Sequence, residues 1–397
     1  MLKVRKAQNG LPWKVAAVLT AGAPTSPLMA GALAAVYEAN RTYHYIFSSG
    51  SGSLIGLSLV APKAKTPPEA LEGLIDLMVA DPVYRTIPLD HKVFFKSGPW
   101  SELFRRLTPY YQIRNPKTPA GKVFNDRVSQ FISAVAPTTL NFFSQGLCNP
   151  NPWIEDFVDF KKLRSFGGHF TVNAYNISKG GMVPFDKHTL TADHIRAATA
   201  CPFIYPPFKL GNSYYYEGAD VDPINLPTLR KLAGVKHPPP IDGAGKVGGR
   251  KPGKSAGEEN DEVDGFKLKV DFKAERLFVV VFDVLGSLNR RALIRVPRNL
   301  LDAYAISLAT PLRSIVLDKI AIFQSEISGL KQAGQPDPVE MEVVNFEIPE
   351  RYWPNLFDWS ESNAKRLWKI GYERGKDLVE KYGYRLPRHA GDNASPV

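Results

Sequence analysis

Cysteine is almost missing from this chain. Its two cysteines in 397 residues, Cys148 and Cys201, form no CxxC pair, which excludes a disulfide framework and a cysteine-built zinc site. Both are expected as reduced thiols acting as small apolar side chains. Histidine is sparse, and His169, His188 and His194 stand at intervals that match no metal-binding motif. No metal and no cofactor are expected. Acids are outnumbered by Lys and Arg, 39 against 50, for a formal charge of +11. Such an excess favours an anionic partner. The cations are spread over 3–14, 161–164, 246–254 and 290–298 without a nucleic-acid module signature, so an anionic membrane surface is expected and nucleic acid is not. A long unbroken apolar run is also lacking. The uncharged stretch Val15–Tyr37 is interrupted by Gly22, Pro24 and Pro27, and reads as a strand, a glycine turn and a helix rather than a membrane span. A cytoplasmic protein, peripherally membrane-associated at most, is expected.

What the chain does contain is alternation. Its 44% hydrophobic content is enough for a large core. Strands are predicted at 15–20, 43–48, 170–176, 213–216 and 277–284. The helices between them are expected at Met29–Asn40, Ser53–Val60 and Thr191–Thr199, and helices at Leu300–Gln324 and Ser360–Tyr382 close the chain. Residues 64–160 read as a helical insertion, with apolar residues at helical spacing over Gly121–Val135. The Pro- and Gly-rich segment 237–264 reads as a flexible loop. The pattern implies one α/β domain with a mostly parallel sheet covered on both faces. Ligands on such sheets bind at the carboxyl ends of strands, which singles out the turns after Thr20, Ser48 and Tyr216.

Those turns carry a resemblance. The stretch VAAVLTAGAPTSPLMAGALAAVYEA, then YHYIFSSGSGSLIGLSL, then IRAATACPFIYPPF leading into YYYEGAD, and finally WKIGYERGKDLVEKYG together resemble the patatin-like phospholipases. Gly22 and Gly31 fall in the family's expected places. The resemblance implies a patatin-like three-layer fold. It also implies an oxyanion loop at Ala21, Gly22 and Ala23, a nucleophile elbow near residue 50, and a carboxylate base after the aromatic strand.

The departures fall on the chemistry. Aligning SLIGL with the residues after the family's elbow puts Gly50 at the nucleophile position. Glycine keeps the strained turn and loses the reaction. A one-residue shift would make Ser51 the nucleophile, at the cost of rotating the following helix by about 100°. The base position holds Glu217 in place of the family's aspartate, with Asp220 and Asp222 as nearby substitutes whose simpler role is in turns and caps. In the oxyanion loop Thr25 replaces an arginine, and Pro24 offers no N–H. The expectation is a patatin-like protein impaired in acyl transfer that binds a lipid or acyl group at membranes. The alternative is an active esterase or phospholipase using Ser51 with Glu217 or a nearby aspartate. Phe203, Tyr205 and Phe208 are expected to pack beside the sheet or line an acyl-chain cleft.

Overall fold

The apolar run after Pro12 forms the centre of the molecule. In the computed structural model, which describes residues 11–389 apart from 64, 152, 236–268 and 331–336, Val15 to Leu19 have no solvent exposure. They lie in β1 (Trp13–Leu19), hydrogen-bonded on both edges to strands of the same kind. β-Branched and aromatic residues buried on both faces make a central parallel strand. The sheet contains β2 (Tyr45–Ser48), β3 (His169–Asn176), β4 (Gly181–Asp186), β5 (Phe208–Leu210), β6 (Ser213–Glu217), β7 (Arg276–Asp283) and β8 (Val339–Asn345). Its order is β5-β6-β3-β2-β1-β7-β8, with β4 paired to β3. The run from β3 to β8 is parallel, while β4, β5 and β6 join antiparallel.

The helices follow from composition. Helix α1 (Pro27–Glu38) begins on a proline that needs no intrahelical donor, and every residue from Pro27 to Val36 is buried. It is covered by α13 (Glu361–Tyr382) at backbone contact: a Cβ on Gly371 would lie 2.6 Å from Leu28 C, and one on Gly375 2.8 Å from Ala32 Cα. Helix α2 (Ser51–Val60) follows β2. The stretch before β3 is helical, with α3 (Pro67–Gly73), α4 (Asp81–Tyr84), α5 (Pro99–Leu107), α6 (Pro119–Val135), α7 (Ile154–Phe157) and α8 (Phe160–Ser165). Then come α9 (Ala192–Ala198), α10 (Leu226–Leu232), α11 (Arg290–Leu293) and the long α12 (Leu300–Ser328) between β7 and β8. Among the described residues, no helix is long and apolar enough to cross a membrane.

Strands β1, β2 and β3 advance in one direction across the sheet, whereas β7 and β8 lie on the other side of β1. With right-handed crossovers this sends α1 and α12 to opposite faces. The reversal between β1 and β7 opens a crevice at the strands' carboxyl ends. The segment 237–264, expected as a loop, lies outside the described residues. Three strands escaped the sequence reading: β4, β5 and β8. β4 carries Pro184, and β8 alternates glutamates with apolar residues; neither looks like a buried run.

Candidate active site

Two residues turn the chain between β2 and α2. Gly50 has φ 50° and ψ −128°, a conformation glycine adopts without the Cβ penalty. The turn is fastened on both sides: Ser49 N donates to Leu19 O at 3.1 Å, and Ser49 Oγ to Asp222 O at 3.0 Å. Asn173 Nδ2 donates to the same Asp222 carbonyl at 2.7 Å.

The sheet register brings Glu217 to this turn. β2 pairs with β3 as far as Val172, while β4 takes β3's other edge from Thr171 to Asn176. β6, which pairs Glu217 with Ala174, must therefore lie on the β2 edge, in the space β2 leaves when the chain turns at Gly50. Glu217 ends β6 and faces the elbow. A Cβ placed on Gly50 would overlap Glu217 Oε1 and stand 3.0 Å from both Glu217 Cδ and Ala21 Cβ. The glutamate carboxyl fills the volume that a side chain at residue 50 would take.

The acids here are perturbed together. Burial, followed by the like charge of Asp220, pushes Glu217 up to about 8, partly offset by a hydrogen bond with the Cys201 thiol. Burial also raises Asp220, whose Oδ2 is buried without a hydrogen-bond partner. The Cys201 thiol is driven well up by burial and then by Glu217 and Asp220, so it stays protonated. Its Sγ lies 3.6 Å from Tyr304 Oη, and Tyr304 donates to Pro202 O at 2.6 Å. Asp222 has a different role. Its Oδ2 accepts from Leu226 N at 2.7 Å at the start of α10, and its Oδ1 pairs with Lys319 at 3.2 Å.

Ser51 is the first residue of α2, and its Oγ accepts from Gly22 N at 3.0 Å. Ala21 N donates to Pro223 O at 3.4 Å. Two of the amides expected to face a bound anion are thus engaged within the protein. Thr25 is buried and donates its hydroxyl to Gly22 O at 2.5 Å, holding the loop shut on itself.

The loop Ala21–Thr25 lines one cavity of about 230 Å³ with Ser51 and the end of β6. Its walls are mostly apolar, with Leu54, Ile55, Leu74, Leu308, Leu312 and Phe357, and Ser51, Cys201, Glu217, Asp220 and Tyr304 are among the polar groups reaching it. Ile204 and Tyr205 line it as well, whereas Phe203 is 54% exposed. His169, His188 and His194 lie outside it, and among the described residues no group of three or more His, Cys, Asp and Glu could hold a metal ion. Sequence reasoning missed Cys201 and Tyr304. Cys201 read as filler, though it stands directly before the proline-rich segment; Tyr304 comes from α12 and carries no local signal.

The family model for the patatin-like phospholipases matches residues 17–230. No curated protein matches the chain. Among solved structures, the crystal structure of VipD from Legionella pneumophila is similar, with 11% identity and a TM-score of 0.33 over 94% of this chain and 67% of that one. The family match runs from β1 through the elbow and past Glu217, over more than half of the chain; this protein belongs to the patatin-like phospholipase family.

Proposed function

We propose that this protein holds a lipid or acyl group in the elbow cavity and has lost acyl transfer. The observation that carries the reading is the exchange at the apex: residue 50 has no side chain, and the Glu217 carboxyl stands in its place. An activated serine needs a free base within hydrogen-bond reach. Here the carboxyl in the base position is buried, biased toward its protonated form, and lodged where the nucleophile belongs. The apolar walls suit an acyl chain. Catalysis through Ser51 is less well supported, because its Oγ accepts from the Gly22 amide and stands one residue beyond the apex.

The test is reconstruction. Gly50→Ser alone should stay near background, because its Cβ meets Glu217. Glu217→Asp alone lacks a nucleophile. The double variant shortens the acid, frees the space and supplies the hydroxyl, so hydrolysis of p-nitrophenyl acyl esters should rise at least about a hundredfold over either single change. Its rate should remain below that of an enzyme with a full oxyanion loop, since Pro24 supplies no donor. A folded but inert double variant would overturn the acyl reading; vigorous turnover by Gly50→Ser alone would show Glu217 to be a competent base.

A further inference from the structure

Helix α6 turns much of its apolar surface to solvent. Its buried residues are Gly121, Asp126 and Gln130, while Phe124, Phe131 and Val135 face solvent at 50%, 67% and 49% exposure. Those three recur at intervals of seven and four, one stripe of a helix. Its inner face, with Asn125, Asp126, Ser129, Ile132 and Ser133, lines a cavity of about 580 Å³ walled by polar and apolar side chains together. That cavity shares no lining residue with the one lined by Ser51 and Glu217. Helix α5 lines the same cavity with Ser101 and Phe104, while Trp100, Leu103 and Leu107 are exposed. In the turn after α6, Phe142 and Phe143 are 96% and 88% exposed. Half of the large hydrophobic side chains exposed among the described residues lie between 100 and 143. An apolar surface of this kind marks an interaction site.

We propose that the outward face of α5, α6 and the turn at Phe142–Phe143 docks on an anionic bilayer by inserting its aromatic side chains. Charge selects this occupant. Arg106, Arg114, Lys117 and Arg127 on the segment are exposed. Its two acids are withdrawn: Glu102 binds Arg105 and Arg106, and Asp126 is buried against Lys92. Aromatic and apolar side chains among cations, with no free acid, match the headgroup boundary of an anionic membrane. The surface is also tied to the acyl cavity. A few residues past Phe143, Leu147 N donates to Phe203 O at 3.1 Å and Cys148 N to Ile204 O at 2.8 Å, and Ile204 lines that cavity. The inference rests on the lipid-binding reading for its class of partner, not for its geometry.

The full chain is to be sedimented with phosphatidylcholine vesicles, with and without phosphatidylserine. Stronger binding to the anionic vesicles, weakened by salt, is expected. Phe131→Ser combined with Phe142→Ser and Phe143→Ser should weaken it at least about tenfold while leaving the melting temperature unchanged. Of the six tryptophans Trp100 alone is exposed, so brominated lipid should quench the wild type and have much less effect on Trp100→Phe. Undiminished binding by the triple serine variant, or no vesicle binding by the wild type, would overturn the proposal. Lipid-free self-association abolished by the same substitutions would reassign the face to a second copy. The same substitutions placed in the Gly50→Ser/Glu217→Asp protein should leave hydrolysis of soluble esters intact. A failed cavity reading therefore appears in the ester assay, and a failed surface in the vesicle assay.

Discussion

Gly50 and Glu217 make sense only as a pair. A longer acid at residue 217 and a missing side chain at residue 50 offset each other in volume, so the turn stays packed. The residues of the two turns were legible in the sequence; the contact between Gly50 and Glu217 was not. It depends on β6 occupying the edge of β3 that β2 vacates, and no local pattern encodes that. The pair also has a titration signature. Folding raises the Glu217 pKa from 4.5 to about 8, so between those values the folded state keeps a proton that the unfolded chain has released. Its contribution to stability is therefore complete below about pH 4.5 and is lost as pH rises toward 8. Glu217→Gln removes this dependence. Thermal melts from pH 5 to 8 should show a smaller loss of stability for the variant than for the wild type, with the variant gaining in relative terms toward pH 8. Parallel profiles would mean that Glu217 ionises normally.

At the scale of elements, the strands read most easily were those buried on both faces. Leu277–Phe282 and Val15–Leu19 are continuous apolar runs because the central strands of a covered parallel sheet touch protein on each side. β8 stayed hidden because Glu340 and Glu342 alternate with apolar residues. They face Arg276 and Arg385, and Lys381 and Tyr382, at the sheet's edge. Helix α6 was legible as a helix, but periodicity identifies a stripe without saying which way it faces, and here the stripe faces outward. The contact of α1 with α13 makes a sharper point. In an exposed helix, exchanging glycine for alanine gains about 1 kcal/mol of helix propensity. At Gly371 the added methyl would enter the Leu28 backbone. Gly371→Ala should instead destabilise the protein by about 1–3 kcal/mol, seen as a lower melting temperature or denaturation midpoint. A gain in stability would show that the two helices separate without cost.

Across the whole molecule, the fold keeps the cavity and the turns of its family, and the residues that reach them decide the chemistry. The switch between β1 and β7 places a mostly apolar cavity at the strands' carboxyl ends, and the elbow, the loop after β1 and the end of β6 all reach it. The family's fold was readable because glycine turns and apolar strands recur in a fixed order along the sequence. The site's present state was less so, since it depends on which hydroxyls and amides satisfy each other. Ser51 accepts from Gly22, Thr25 donates to Gly22, and Ser49 donates to Asp222, so these hydroxyls serve the backbone of the turns. The central claim is that no serine of the elbow is activated. A fluorophosphonate probe followed by peptide mapping tests it most directly, because that reagent reports an activated serine and its position together. The account predicts no adduct between Tyr45 and Val60 beyond that formed with the heat-denatured protein; a rapid adduct on Ser51, abolished by Ser51→Ala, would contradict it.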